Sequence, residues 1–226
     1  CLDKKGQYDV TMEEVSFAGD IKTVKMGSVD QPILEKFGDD LRIDWGYFYL
    51  SVKGADAAVC TCKKENEEDM NFVGAKAALS TCDESGALFA FAYDAIDSLV
   101  SFTERVKAYW KKDGAPIDQV IVDAYAGYDE LVKKADAFSD DMFCKAVRAG
   151  GEKYAELLEL AYRQVVAGHK LVLDTEGKIV YASKECFSNG CAVTVDVSYP
   201  SIPMFLYYNA ELVKGMSRPI FKYADT

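Results

Sequence analysis

The run "KECFSNGCAVTVDVSYPS", Lys184 to Ser201, concentrates groups able to do chemistry. Two carboxylates, Glu185 and Asp196, stand beside Lys184, Asn189 and two cysteines, Cys186 and Cys191, around Gly190. Paired carboxylates serve as general base and general acid when they sit a few ångströms apart and one has a raised pKa. Between residues 187 and 199 the only ionisable groups besides Asp196 are Cys191 and Tyr199, which makes Glu185 and Asp196 the candidate pair. The opposing reading has Asp196 capping a turn and Glu185 facing water. Residue types alone leave both open.

Other groups are weaker candidates. Arg163 and Gln164 interrupt the apolar stretch "AYRQVVAGHK", which places them either at a polar cavity or on a solvated helix edge. His169, the single histidine, reads first as a structural hydrogen bonder and second as a catalyst. Asp44 and Trp45 in "LRIDWGYFYL" either line a cleft or are ordinary structure at a strand mouth. Zinc sites draw on four converging Cys or His ligands. The only close cysteine pair is Cys60 and Cys62, one residue apart, so the expectation is two small buried side chains on one strand face rather than a metal site. Cys186 and Cys191 could close a disulfide only if their Cα atoms approach within about 7 Å. With seven cysteines, at least one thiol has no partner within the chain. No metal or other cofactor is called for, and no phosphate-binding glycine loop, nucleophile elbow or HExxH is present.

These groups must be held by a core, and half of the 226 residues are apolar, enough to bury one. The net charge of −11 repels a phosphate backbone or an anionic lipid surface, so nucleic acid is not an expected partner. No stretch approaches the roughly 20 apolar residues of a membrane span. A cysteine at position 1 without an initiator methionine implies removal of upstream residues, either in a mature lipoprotein or in a trimmed chain.

Period-two runs at 7–17, 21–26, 47–52, 57–62 and 87–93 predict antiparallel strands, with "KKENEEDMN" as a solvated loop. Apolar residues from Ile117 to Ala135 recur at helical spacing and predict one helix over 116–136. A second helix carries Phe138, Met142, Phe143, Ala146 and Val147 inward, and a third over 152–166 carries Tyr154, Leu157, Leu158, Ala161 and Val165. "KLVLDTEGKIVYAS" predicts a hairpin turning at Gly177. "SIPMFLYY" predicts a short helix, and Asn209 caps the next. The fold class is mixed α and β: a strand-rich, β-sandwich-like segment over 1–62, connecting strands and loops over 63–102, and a helical domain over 103–226 with a hairpin at about 170–183.

Four motifs in order, "DDLRIDWGYFYL", "AYRQVVAGHKLV", "SKECFSNGCAVTVDVSYPSIPMFLYYN" and "LVKGMSRPIF", resemble the glutaminase A family of bacteria and fungi. The resemblance runs from about Gly27 onward and is strongest between Tyr162 and Phe221. It implies that the first part is the end of a β-sandwich domain and the helical part a portion of an (α/α)6 six-hairpin toroid. The chain would then be a fragment or lone central module, whose partner is the missing C-terminal domain of the same protein. The family's run is closer to SKENFSNGSxxTVDVTYPS, so Cys186 and Cys191 stand where Asn and Ser are usual, which argues against a family-wide metal or disulfide role. Lys184, Glu185, Asn189, Asp196 and Tyr199 match.

The implied activity is hydrolysis of L-glutamine to L-glutamate and ammonia, with Glu185 and Asp196 catalytic and Arg163, Lys184, Asn189, Tyr199 and Asp44 around the substrate. The implied location is extracytoplasmic. A carbohydrate substrate is the alternative, because glycosidases share the six-hairpin architecture and use two carboxylates. A non-catalytic structural fragment is the third reading.

Overall fold

The computed structural model describes residues 9–35, 45–63, 71–79, 86–184 and 191–225. They fall into two compact units, one within 9–35, 45–97 and 114–126, the other within 98–113 and 127–225.

In the first unit, β1 (Val10–Phe17), β2 (Ile21–Ser28), β3 (Tyr47–Lys53) and β6 (Phe89–Asp94) form an antiparallel sheet in the order β1-β2-β3-β6. Alternation decides what each strand buries. Phe17, Ile21, Tyr49, Ala90 and Ala92 pack with Ile121 and Tyr125 of α1 (Ile117–Ala126). Val24, Met26, Leu50 and Val52, in the other register, are also buried. The hairpin of β4 (Ala58–Cys62) and β5 (Phe72–Lys76) packs against β1, β2 and β3. Inside the sheet the hydroxyls of Thr23 and Ser51, cross-strand partners and both fully buried, bond at 2.7 Å. Trp45 is buried, and its indole N–H donates to the Ala95 carbonyl at 3.0 Å, so the structural reading of this residue holds.

The second unit opens with a small hairpin, β7 (Leu99–Ser101) and β8 (Glu104–Val106). Helices α2 (Tyr128–Gly150) and α3 (Glu152–Ala167) follow, then the hairpin of β9 (His169–Leu173) and β10 (Ile179–Ser183). The turn is the predicted one: Gly177 takes φ 76°, and Asp174 Oδ1 accepts from the amides of Glu176 and Lys178. Alternate residues of this hairpin enter different cores. Val172, Val180 and Ala182 join Leu99 and Val106. Tyr181 and Leu171 join Tyr162, Val165, Phe205, Leu212 and Met216, the last three from α5 (Ile202–Tyr208) and α6 (Ala210–Ala224). Asn209 caps α6 as predicted, its Oδ1 accepting from the Glu211 amide at 3.2 Å.

Three details depart from expectation. The helix predicted over 116–136 is two, because the chain leaves helical geometry at Gly127, and α2 then runs unbroken through Phe138, where no breaker residue stands. The inward face of α3 is Ala155, Leu158, Tyr162 and Val165, while Tyr154 and Leu157 are exposed. Cys60 and Cys62 share a strand as predicted but are exposed, not buried, since Cys60 faces Gly74, which has no side chain to cover it.

Candidate functional site

The site is built outward from Ser183, the last residue of β10 and fully buried. Lys184 follows, its amide donating to the Gly168 carbonyl at 3.0 Å, and it pairs antiparallel with Ala192. The Val193 amide donates to the Ser183 carbonyl at 2.8 Å. The chain therefore leaves the hairpin at 184 and returns to it at 192. Glu185, Cys186 and Asn189 belong to the intervening segment and lie outside the described residues, as does Asp44. Cys191 is exposed.

On its return the backbone turns sharply. Val193 takes φ 62°, a left-handed conformation costly for a β-branched residue, and so directs Thr194 into α4 (Val195–Ser198). Hydroxyls then tie α4 down. Ser198 Oγ donates to Ser183 Oγ at 2.9 Å, Ser183 Oγ donates to the Thr194 carbonyl at 3.4 Å, and Ser201 Oγ donates to the Ser198 carbonyl at 2.7 Å. Ser183, Ser198 and Ser201 are all buried. Asp196, bracketed by Thr194 and Ser198, is exposed, and so is Tyr199.

Lys184 and Asp196 thus lie on the two arms of the chain that Ser183 ties together, and Tyr199 directly follows α4. Arg163 is exposed on α3, and no bond among the described residues links it to Ser183 or α4. A shallow groove along α2, lined by Tyr128, Val132, Asp136 and Asp140 among others, includes none of the candidate residues.

His169 is a structural hydrogen bonder. It is the cross-strand partner of Ser183, its Nδ1 lies 2.6 Å from the Val165 carbonyl, and its ring stacks on Tyr181 at 4.5 Å. Only an N–H can bond a carbonyl, so the proton sits on Nδ1 and Nε2 is left as a buried acceptor without a partner. Burial lowers the imidazole pKa, opposed by the Val165 bond, and burial pushes the Tyr181 phenol up to about 12.

The buried hydroxyls of Ser183, Ser198 and Ser201 were not singled out from sequence. Their signal is faint: a Ser directly before Lys184 and one two residues after Asp196. Among the described residues no three His, Cys, Asp or Glu side chains gather as a metal site would need, and no helix is long and apolar enough to cross a membrane.

Residues 151–226, which hold every candidate except Asp44, match the Glutaminase A six helical-hairpin domain. Over this part the chain is related to the glutaminase A family. It is 39% identical over 87 residues to Glutaminase A of Aspergillus oryzae, a stretch that is 38% of this chain and 12% of that protein. It is 25% identical over 118 residues to a probable glutaminase of Arthroderma benhamiae, 52% of this chain and 14% of the relative. The alignments therefore span about an eighth of these glutaminases' own length. No solved structure matches the chain.

Proposed function

We propose that this chain carries part of the active site of a glutaminase that hydrolyses the side-chain amide of L-glutamine. The observation that supports the reading is that the six-hairpin match covers the stretch where Lys184 bridges Ala192 and where Ser198, two residues after Asp196, bonds to Ser183. In the proposed reaction one carboxylate of the pair Glu185 and Asp196 takes a proton from water as its oxygen attacks the amide carbon. The other gives a proton to the nitrogen as the C–N bond breaks, so that glutamate and ammonia leave and no co-reactant is consumed. Lys184 supplies a positive charge for a substrate carboxylate, and Arg163, Asn189, Tyr199 and Asp44 complete the proposed surroundings. An extracytoplasmic location belongs to the same proposal.

Calorimetric titration with L-glutamine and L-glutamate, run beside an ammonia-release assay, tests it. Binding that Asp196→Asn abolishes supports the reading. Binding that survives the substitution removes Asp196 from the site. Turnover of a glycoside in place of glutamine would favour the carbohydrate alternative.

A further inference from the structure

Of the two described charged candidates, Lys184 is half-buried and Asp196 exposed. The backbone that carries them is held by Ser183. Ser183 holds the returning segment at three points: its carbonyl takes the Val193 amide, its Oγ donates to the Thr194 carbonyl, and the same Oγ accepts from Ser198. Asp196 lies between the second and third of these points, and Lys184 is the residue after Ser183. Both groups are therefore referred to one buried atom, Ser183 Oγ.

We infer that Ser183 and Ser198 are positioning residues that set the Asp196 carboxylate relative to Lys184. The inference rests on the glutaminase reading and deepens it. A buried hydroxyl pair is a poor filler unless its geometry is needed: removing Ser183 Oγ takes away the acceptor of the buried Ser198 hydroxyl, and removing Ser198 Oγ leaves Ser183 only the long bond to the Thr194 carbonyl. Small displacements of a reacting group are costly, a misplacement of about 1 Å reducing rate on the order of 100-fold.

The test combines hydrogen–deuterium exchange at the amides of residues 193–198 with steady-state ammonia release, on the wild-type chain, Ser183→Ala, Ser198→Ala and the double variant. Ser51→Ala, which breaks the comparable buried hydroxyl pair with Thr23 in the first unit, is the stability control. Ser183→Ala and Ser198→Ala should speed exchange at Val193 and Ser198 and lower kcat at least about 10-fold with a smaller change in KM. The double variant should be no worse than the worse single one, since it leaves no orphaned hydroxyl. Ser51→Ala should lower the melting temperature without moving kcat.

Unchanged exchange overturns the inference, and so does an unchanged kcat. A loss of kcat in Ser51→Ala equal to that in Ser198→Ala also overturns it, by reducing the effect to stability. In each of these cases the glutaminase reading stands if Asp196→Asn still abolishes turnover. Should the wild-type chain neither bind L-glutamine nor release ammonia, the reading falls, and the positioning role falls with it whatever the exchange shows. Ser198→Cys keeps the side-chain volume with a weaker hydrogen bond, and its kcat should lie between Ser198→Ala and wild type even if the alanine variant folds poorly.

Discussion

Phe205 and His169 show how individual side chains hold the second unit together. Phe205 is fully buried and meets Tyr181 edge-on at 5.4 Å and His169 at 5.9 Å. Phe205→Ala should cost about 3–5 kcal/mol in urea unfolding, the range for an emptied aromatic site. His169 predicts a pH dependence. Its folded pKa lies below the ordinary value because burial disfavours the imidazolium. Its contribution is thus fully present above the unfolded pKa of about 6.5 and is lost as pH falls from there through the lowered folded pKa, where the unfolded chain binds the extra proton. Urea midpoints measured from pH 7.5 downward should fall more steeply for the wild type than for His169→Gln, which cannot titrate. At this scale the sequence read His169 well, since a lone histidine at a helix–strand junction usually bonds backbone. It did not reveal the buried serines, because a Ser is equally at home in water and nothing local marks Ser183 or Ser198 as enclosed.

Elements meet most closely where α6 crosses β10. A Cβ on Gly215 would come within 3.1 Å of the Tyr181 amide nitrogen and of Ile179 Cγ2, and 3.3 Å from the Ile179 carbonyl. Arg218, one turn on, donates to that same carbonyl, and Ser217 bonds back to Val213 at 3.0 Å. The motif "LVKGMSRPIF" is thereby explained as a docking surface for a strand. Gly215→Ala should destabilise by about 1–3 kcal/mol, because overpacking against backbone outweighs the roughly 1 kcal/mol gained in helix propensity. Chemical denaturation checks the sign, and a stabilised variant would refute the close packing. Hairpin β9–β10 and the α6 cap were legible because turn and cap chemistry is local. Strands β5, β7 and β8 were missed: the last two have three residues each, too few to show alternation, and β5, "FVGAK", is interrupted by Gly74. The break at Gly127 was hidden by apolar spacing that continues through Tyr128 and Leu131, both exposed in α2.

For the whole molecule, charge and tyrosine ionisation give separate predictions. A net charge of −11 should keep duplex DNA unretarded in gel-shift experiments at about 150 mM salt, as expected where backbone neutralisation by cations is lacking. Each unit buries one tyrosine whose phenol is pushed up to about 12, Tyr49 chiefly by burial with Asp94 adding to it, and Tyr181 by burial with Tyr162. Because both folded values are raised, their contribution to stability is complete below the unfolded value near 10 and is lost as pH rises through 12. Absorbance at 295 nm should therefore show a late-titrating fraction of the fourteen tyrosines, lost in denaturant. Tyr49→Phe and Tyr181→Phe should each remove part of it. The division into units was only partly legible, because α1 has helical periodicity like its successors and only tertiary packing assigns it to the sheet.

The pairing of Lys184 with Ala192 also bears on how this surface can change over evolutionary time. Two chain points locked together make whatever is spliced between them nearly neutral for the scaffold: doubling such an insert costs only about 0.6 kcal/mol of closure entropy. Residues added between these two points should therefore leave the melting temperature of the second unit nearly unchanged.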